Sequence, residues 1–390
     1  MTRVVVIGAG PAGLVAAIRL AEGGARVALL NKGTGGLQLG QGTFDILGYG
    51  PDRVERPLDA LAGFAEAHPG HPYGVLPADL VARSANYLRD LVGPALLVGD
   101  AAVNLQLPTA VGAVRPTALA SPSMTAGACV DGARFVIVGL RQLKDFYPEL
   151  VVGNLVRTDL PGGGRLQARA AMLDLPARDG EVDSTGLTYA RALDDPAYRG
   201  RFAQAVKAVV EPGETVGLPA VLGLDDHTAW SEVAEAIGAP VFEIPLPPPS
   251  VPGMRLNRAL TARAKAAGVR VVPGSKVTGF RASGGAVDSV QLATAGGDRD
   301  FVADAFVLAT GGFESGALTA DSYHNVHESV FDLPLRRPEG HLVHGDYWGD
   351  PQPLFTIGVE VDEQMLVRHP GGDPVYTNLY AAGGILAGAT

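Results

Sequence analysis

The chain opens with an apolar run, a cluster of glycines and an alanine-rich stretch with helical spacing. The four apolar residues of Val4–Ile7 are typical of a strand that is buried on both faces of a parallel sheet. A helix is predicted over Ala12–Ala21, and a second strand is predicted over Arg26–Leu30. The pattern therefore predicts a strand–turn–helix–strand unit at the start of the chain.

Apolar runs and helical spacings alternate through most of the remaining sequence. Helices are predicted over Leu58–Ala67, Leu80–Leu91, Leu140–Val156, Pro196–Val210, Thr228–Ile237 and Met254–Ala267. Strands are predicted over Phe135–Gly139, Gln167–Leu175, Val241–Ile244, Val269–Pro273 and Ala303–Ala309, with a short apolar run over Pro219–Leu224. The expected fold class is α/β, with a Rossmann-like first domain and a large α/β insertion or cap.

A proline-rich break indicates how the chain is divided. The stretch "PLPPPSVPG" (245–253) is stiff and separates two helix-and-strand regions. We expect residues 1–50, 254–320 and 350–390 to form a discontinuous nucleotide-binding domain. Residues 51–253 are expected to form the insertion, and residues 321–349 to lie on the substrate side or at an interface.

The glycine cluster after the first strand matches the dinucleotide-binding pattern G-x-G-x-x-G. In this pattern the first glycine allows the tight turn, the second lets the backbone approach a pyrophosphate, and the third lets the helix pack on the strand. The positive end of the helix dipole points at the same place, which favours an anion. The predicted pyrophosphate site is therefore Gly8-Ala9-Gly10-Pro11-Ala12-Gly13.

The end of the second strand departs from the usual pattern. An Asp or Glu there usually accepts hydrogen bonds from ribose hydroxyls, whereas this strand is followed by Asn31 and Lys32. Asn31 can still bond a hydroxyl, and Lys32 favours additional negative charge. A neutral, glycine-rich loop follows at 37–49, "LQLGQGTFDILGY", where Gly42 lets the backbone lie against a flat ring or simply forms a surface loop.

Charge and cysteine content narrow the function classes. The net charge of −10 over 390 residues argues against nucleic acid or an anionic membrane surface as the main partner. No run of 18 apolar residues is present, so we expect no direct membrane span. The single cysteine, Cys129, excludes a disulfide, a C-x-x-C redox pair and an iron–sulfur site within this chain. We therefore interpret Cys129 as a small buried residue, and no metal-ligand cluster is predicted.

Three separated strand ends resemble the scattered fingerprint of flavoproteins of the succinate dehydrogenase and fumarate reductase type. They are "VVVIGAGPAG", "FVLATGGF" and "NLYAAGG". The resemblance implies FAD, with the first segment at the pyrophosphate, the second near the nucleotide and the last close to the isoalloxazine ring. Beyond the first glycine turn, the cofactor residues are then expected to be Asn31, Lys32, Gly42, Val277, Thr310, Gly311, Gly312, Gly383 and Gly384.

Longer blocks resemble the B subunit of the anaerobic, quinone-dependent glycerol-3-phosphate dehydrogenase. They include "GTGGLQLGQGTFDILGY", "AHPGHPYGVL", "LPPPSVPGMRLNRAL" and "GDYWGDPQP". The resemblance implies a cytoplasmic complex that oxidises sn-glycerol 3-phosphate and passes electrons to a quinone. The implied partners are a second flavoprotein subunit and a membrane-associated iron–sulfur subunit, which would hold this chain at the inner face of the membrane.

Two departures from that family concern the cofactor and the end of the chain. FMN is commonly described for this type of subunit, but a Gly8/Gly10/Gly13 turn is suited to the pyrophosphate of FAD, so we favour FAD over FMN. Family members continue beyond the last motif into a turn and helix that complete the flavin site. Because this sequence stops at residue 390, we expect it to be truncated, or its flavin site to be incomplete.

Catalytic candidates cluster in "LRRPEGHLVHGDYWGDPQP" (335–353). Oxidation of an alcohol needs a base, and binding of a phosphate needs an arginine or lysine. The candidates are Arg337, His341, His344 and Asp346, with Arg336 beside them. Loop histidines that bond water, and an exposed arginine pair, are the alternative interpretation.

Two other functions stay open at this stage. One is a stand-alone dehydrogenase of the fumarate reductase or ketosteroid type, with its substrate pocket closed by the insertion. The other is a flavin-free assembly subunit that keeps the fold, which Asn31 and the early end of the sequence favour. The implied flavoprotein partner also carries a flavin, so alcohol oxidation belongs either there or here.

Overall fold

The structure is a computed structural model that describes residues 1–274, 276–293, 297–346, 349 and 351–389. By internal contacts the chain forms two compact units. Unit 1 comprises residues 1–36, 61–80 and 259–390, and unit 2 comprises residues 37–60 and 81–258. Compact units and functional domains need not coincide, so the predicted division into a nucleotide-binding domain and an insertion remains a prediction.

The described residues form both helices and strands, and several of the strands have only two or three residues. The helices are α1 Pro11–Glu22, α2 Pro57–Ala67, α3 Ala78–Val92, α4 Pro148–Leu155, α5 Gly186–Leu193, α6 Pro196–Lys207, α7 Ala229–Ile237 and α8 Val251–Ala266. The strands are β1 Arg3–Ile7, β2 Arg26–Asn31, β3 Val98–Gly99, β4 Leu105–Pro108, β5 Val114–Thr117, β6 Leu119–Ala120, β7 Arg134–Leu140, β8 Gln167–Leu173, β9 Thr215–Pro219, β10 Val241–Ile244, β11 Arg270–Pro273, β12 Val277–Ser283, β13 Ala286–Leu292, β14 Arg299–Val302, β15 Ala305–Leu308, β16 Leu318–Ala320, β17 Val326–Glu328, β18 Glu360–Val361, β19 Val367–Arg368 and β20 Leu379–Ala381. Within this described part, no helix combines the length and apolar character needed to cross a bilayer.

The main sheet of unit 1 is wholly parallel. Its strand order is β11-β2-β1-β15-β20, and neighbouring strands run in the same direction throughout. Val4, Val5 and Val6 of β1 are at most 4% exposed, as expected for a strand covered on both faces. Because all carboxyl ends meet at one edge, the loops after β1, β2, β15 and β20 are brought together there.

Helix α1 packs on this sheet by a narrow apolar stripe. Leu14, Ala17 and Ile18 are each at most 1% exposed, at the i, i+3 and i+4 spacing of one helical face. Gly10 is the residue that precedes the helix, and Pro11 occupies its first position, where no amide hydrogen bond is lost. The helix therefore begins directly over the carboxyl edge of the sheet.

Unit 2 is built on a second parallel sheet, in the order β10-β9-β7-β8. Its core combines this sheet with helices α4 to α7, and Phe135, Tyr189 and Phe242 are among its buried residues. The α/β character predicted for the insertion is thus confirmed. Glu243 of β10 is also buried in this unit and pairs with Arg255, with Nη1 2.7 Å from Oε2.

Several element boundaries differ from the prediction. The helix expected over Leu140–Val156 is wrong before Pro148, because Tyr147 is extended (φ −117°, ψ 96°), as residues before proline prefer. The break at 245–253 ends earlier than expected, since α8 begins at Val251. The strand near the run Pro219–Leu224 lies before it, at Thr215–Pro219.

Candidate functional site

The turn after β1 depends on glycine at two positions. Gly8 has φ +111°, and a Cβ there would lie 2.1 Å from the carbonyl oxygen of Ala309. A Cβ on Gly13 would lie 1.9 Å from the carbonyl oxygen of Gly8. The amide of Gly8 donates to the carbonyl oxygen of Leu30 at 2.8 Å. These contacts join β1, β2, α1 and the end of β15 at close range, so neither glycine tolerates a side chain.

Gly10 differs from Gly8 and Gly13 because its Cβ position faces open space. No heavy atom lies within 4 Å of its Cβ position. The amides of Ala12 and Gly13 stand in the first turn of α1, ahead of the first helical hydrogen bond, which runs from Leu14 N to Gly10 O at 3.0 Å. Amide donors, a dipole end and free space therefore coincide, which suits an anionic group.

A second loop passes behind this turn at Gly35. Its φ is +75°, and a Cβ there would lie 2.3 Å from the carbonyl oxygen of Ala9. The loop after β2 is thereby held against the first turn. Sequence reasoning did not single out Gly35, although the cluster of glycines at 33, 35 and 36 was a usable signal.

Asn31, at the end of β2, has a fixed orientation and an unused acceptor. Its Nδ2 donates to the carbonyl oxygen of Gly33 at 2.7 Å. Its Oδ1 is buried and accepts no hydrogen bond from the described residues. An unpartnered buried acceptor is costly, so this atom is suited to a hydroxyl of a bound ligand. Lys32 is exposed.

The segment after β15 carries a comparable group. The Oγ1 of Thr310 is buried and has no hydrogen-bond partner among the described residues. Gly311 has φ +81°, and the amide of Gly312 donates to Oε1 of Glu314 at 3.2 Å. Thr310 is thus a second polar group that the protein leaves unsatisfied at the same edge of the sheet.

The segment after β20 completes the arrangement. The Cβ position of Gly383 lies 2.8 Å from Cβ of Ala12, and that of Gly312 lies 3.2 Å from the carbonyl oxygen of Gly384. The amide of Ala382 donates to the carbonyl oxygen of Leu308 at 2.9 Å. The three glycine-bearing strand ends therefore meet. A dinucleotide fits this site, because open space, amide donors and two orphaned polar atoms occur together.

Two other predicted cofactor residues have different surroundings. Val277 begins β12 and is buried in the apolar core of unit 1. Gly42 belongs to unit 2, has φ +79°, and its Cβ position lies 2.3 Å from Cβ of Pro252. Close packing within its own unit is sufficient to require this glycine. Contact of either residue with a cofactor stays a prediction.

The predicted catalytic residues lie on one loop of unit 1. His341, His344 and Asp346 are exposed, and the amide of His344 donates to Oε1 of Gln352 at 2.8 Å. One terminal nitrogen of Arg337 already has a partner, because its Nη2 donates to the carbonyl oxygen of Val326. Tyr347, Trp348 and Asp350 of the same stretch, and Thr390, lie outside the described residues.

This loop is anchored beside the second glycine-bearing strand end. The amide of Leu354 donates to the carbonyl oxygen of Leu342 at 2.7 Å. The ring of Phe355 then packs edge-on against that of Phe313, with centroids 6.4 Å apart. Phe313 directly follows Gly312, so the loop that bears the histidines is tied to that segment.

Cys129 has the character of a structural residue. It is 2% exposed, and its Sγ lies 3.6 Å from the carbonyl oxygen of Gly127. Burial raises the pKa of its thiol to about 12, and Arg53 opposes that shift weakly. A buried, protonated thiol is a poor nucleophile, which agrees with the interpretation of Cys129 as a small buried residue.

Comparison with known proteins identifies relatives along the whole chain. A family model described as an FAD binding domain matches residues 3–390. The probable B subunit of anaerobic glycerol-3-phosphate dehydrogenase from Halobacterium salinarum is 31% identical over 403 residues, which cover 99% of this chain and 92% of that protein. The B subunit of the anaerobic glycerol-3-phosphate dehydrogenase from Pectobacterium atrosepticum is 33% identical over 401 residues, with the same coverage.

Two solved structures show a distant likeness to this chain. The 3-ketosteroid-Δ4-(5α)-dehydrogenase from Rhodococcus jostii RHA1 is 17% identical, with a TM-score of 0.33 over 80% of this chain and 46% of that chain. The 3-ketosteroid Δ1-dehydrogenase from Sterolibacterium denitrificans is 13% identical, with a TM-score of 0.35 over 80% and 48%. The chain spans about half the length of each, and such low TM-scores carry no argument about its substrate.

Proposed function

Because this chain belongs to the family of anaerobic glycerol-3-phosphate dehydrogenase B subunits, we propose that it serves in the oxidation of sn-glycerol 3-phosphate. It is an oxidoreductase subunit of the FAD-binding type. In the proposed reaction the secondary alcohol is oxidised to dihydroxyacetone phosphate, here or in a partner flavoprotein, and the electrons pass on to a quinone.

We propose that the carboxyl edge of the unit 1 sheet holds the FAD. The amides of Ala12 and Gly13 bind the diphosphate, and the space beside Gly10 admits it. Oδ1 of Asn31 accepts a hydrogen bond from a ribose hydroxyl. The cradle suits a diphosphate, and Asn31 suits the ribose of an adenosine. FMN contains neither group, which supports FAD as the cofactor.

The later strand ends are proposed to face the rest of the cofactor. Thr310 offers its hydroxyl beside the nucleotide, and the glycines at 383 and 384 let the backbone approach the ring. When bound, FAD supplies a two-electron acceptor. Where the oxidation takes place in this chain, its own residues orient the alcohol and remove its hydroxyl proton.

For that proton we propose the loop that is anchored at Phe313 and Phe355. His341 and His344 are the candidate bases there, with Asp346 close to them in sequence. Arg337 holds the loop to β17 through the carbonyl oxygen of Val326. A general base acts only within hydrogen-bond reach of the proton that it removes, so these roles are to be tested by kinetics.

We further propose the partners that the family implies. The homologues are named as subunits, so this chain belongs to a multi-subunit enzyme. The proposed partners are a second flavoprotein subunit and an iron–sulfur subunit at the inner face of the membrane. The single cysteine of this chain leaves iron–sulfur ligation to another protein of the complex.

The observation that carries this proposal is the junction of three glycine-bearing strand ends around two orphaned polar atoms. Its test is to purify the protein with and without its partner subunits, record the visible spectrum, and identify the extracted flavin by chromatography. We expect FAD, bleached by sn-glycerol 3-phosphate. Bleaching by this chain alone would place the oxidation here, whereas bleaching only in the complex would indicate relay. A colourless full-length protein, or one that contains only FMN, would contradict the proposal.

A further inference from the structure

Unit 1 contains an open cavity whose lining includes none of the glycines of the three strand ends. Its volume is about 470 Å³, within the range of small-molecule sites. It is lined by residues from sequence-distant segments: Gly70, His71, Arg336, Glu360, Arg368 and Leu386 are among them. All of these residues belong to the same compact unit.

Arg368, on β19, offers two unused donor groups to this cavity. Its Nε donates to the carbonyl oxygen of Gly372 at 2.6 Å, which fixes the plane of the guanidinium. Among the described residues, its Nη1 and Nη2 make no hydrogen bond. A guanidinium that is held at Nε and open at both terminal nitrogens has the geometry for bidentate binding of an oxyanion.

A second guanidinium, that of Arg336, is held rigidly on the same cavity. Its Nη2 donates to the carbonyl oxygen of Pro69 at 2.7 Å, and its Nε lies 3.6 Å from Oε1 of Glu360. Gly70 makes room for it: with φ +86°, a Cβ there would lie 1.0 Å from Nη1 of Arg336. The glycine and the arginine are therefore spatially coupled, although they are 266 positions apart.

Glu360 supplies the carboxylate of the lining, and both of its oxygens already have partners. Oε2 of Glu360 accepts the amide of Gly371 at 2.9 Å, and Oε1 faces Arg336. Two guanidiniums against one carboxylate leave the lining with a net positive charge. That balance favours an anionic ligand over a cationic or neutral one.

His71 adds a neutral donor. Its Nδ1 accepts the amide of Tyr73 at 3.1 Å, and its ring packs against Phe64 with centroids 5.0 Å apart. Burial, together with His68, lowers the pKa of His71. The proton of the neutral ring therefore lies on Nε2, where it can be donated to a hydroxyl or phosphate oxygen.

We propose that this cavity binds a small phosphomonoester, with Arg368 and Arg336 holding the phosphate group. The proposal rests on the proposed function, since it assigns the phosphate of sn-glycerol 3-phosphate to these residues. A phosphate has three terminal oxygens and nearly two charges, and it can use two guanidiniums at once. A carboxylate would use only one of them fully.

The cavity also adjoins the segment proposed for the flavin ring. Leu386 and Ala387, which line it, follow Gly384 within three residues. The amide of Gly388 donates to the carbonyl oxygen of Thr356 at 2.9 Å, and its Cβ position lies 3.0 Å from the carbonyl oxygen of Gly70. A substrate anchored in this cavity is thus held by the same stretch of chain that leads from the ring.

The test is calorimetric titration of the FAD-loaded protein with sn-glycerol 3-phosphate, inorganic phosphate and glycerol. We expect the two phosphate-bearing ligands to bind and to compete, and glycerol to bind at least tenfold more weakly. Arg368→Ala should raise both Kd values at least tenfold, Arg368→Lys less, and Arg336→Ala by a comparable factor. Arg26→Ala is the matched control, because Arg26 is an exposed arginine at the amino end of β2.

The outcomes separate this proposal from the wider one. Unchanged Kd values in Arg368→Ala, with the flavin spectrum and melting temperature of the wild type, would overturn the cavity assignment and leave the proposed function standing. Failure of the wild-type chain to bind either phosphate-bearing ligand would also overturn it. Arg368-dependent phosphate binding without any flavin reduction by sn-glycerol 3-phosphate, alone or in the complex, would support the site and contradict the proposed function.

Discussion

The Cβ position of Gly13 lies 1.9 Å from the carbonyl oxygen of Gly8. Close approach of helix α1 to β1 therefore leaves no room for even a methyl group. Gly10, in the same turn, has no heavy atom within 4 Å of its Cβ position. The protein itself therefore requires glycine at position 13, whereas glycine at position 10 is proposed to leave room for the ligand.

This difference gives the first prediction. Gly13→Ala should destabilise the apo-protein by about 1–3 kcal/mol through overpacking. Gly10→Ala should leave apo-protein stability nearly unchanged, since its φ of −70° suits alanine, but should weaken FAD binding at least tenfold by filling the diphosphate space. Melting temperatures without FAD and Kd values from flavin titration measure the two effects. Wild-type FAD affinity in Gly10→Ala would contradict the assignment of the cradle.

The second prediction concerns Asn31. Asn31→Ala removes the acceptor for a ribose hydroxyl, and one hydrogen bond corresponds to about threefold to tenfold in affinity. We expect that loss for FAD and no loss for FMN, which has no adenosine ribose. Titrations of the apo-protein with each flavin make the comparison. Equal weakening for both flavins would mean that Asn31 acts only on the fold.

Thr310 provides the third prediction. Its hydroxyl is buried without a partner among the described residues, and such a group costs about 1–3 kcal/mol. Thr310→Val keeps the shape and removes the hydroxyl, so the apo-protein should become more stable while FAD binds more weakly. The melting temperature of the apo-protein should therefore rise, and the Kd for FAD measured by flavin titration should rise as well. A less stable apo-protein with unchanged FAD affinity would be the contrary result.

The fourth prediction concerns the buried pair in unit 2. Both terminal nitrogens of Arg255 bond Glu243, which also accepts the hydroxyl of Ser123 at 2.6 Å and the amide of Leu222 at 2.7 Å. Arg255→Met leaves this carboxylate buried without its counter-charge, at a cost of about 3–5 kcal/mol.

The matched control is Arg258→Met, which breaks the exposed pair of Arg258 with Asp225. Its expected cost is below about 1 kcal/mol. Melting temperatures of the two variants should therefore differ clearly. Similar values would show that the buried pair adds no more stability than an exposed one.

The fifth prediction uses the single cysteine. Because burial raises the pKa of Cys129 to about 12, the native thiol should not react with a disulfide reagent at pH 8, and should react fully in denaturant. The folded pKa lies above the unfolded value of 9.0, so the unfolded state loses its proton first. Thiol ionisation should thus lower stability as pH rises from about 9, and Cys129→Ala should remove that part of the pH dependence. Rapid labelling of the native protein would contradict the burial.

Local patterns predict the first strand–turn–helix–strand unit well. The strand, turn and helix around Gly8, Gly10 and Gly13 are specified within twenty residues, and the structure differs from their predicted bounds by one residue. The helix predicted over Leu140–Val156 is wrong because its apolar spacing is overridden by Pro148, which fixes the residue before it in an extended conformation.

Features formed by distant segments could not be predicted in this way. Arg336 stands out in the sequence only as a neighbour of Arg337, because nothing near it shows that Gly70 makes room for its guanidinium. Arg368 carries no local signal at all. The orphaned hydroxyl of Thr310 likewise becomes visible only when burial and hydrogen bonds are known. These sites depend on tertiary contacts, whereas the glycine fingerprint does not.

The parallel sheet of unit 1 takes β1 and β2 from the first 31 residues and β20 from residues 379–381. β1 pairs with β2 and β15, and β2 pairs with β1 and β11, so during synthesis on the ribosome the first two strands wait for residues 270–308 before their remaining partners emerge. Long-range strand pairing of this kind is slow. Assembly of the carboxyl edge that is proposed to hold the flavin is consequently expected late in folding, after β15 and β20 have joined the sheet.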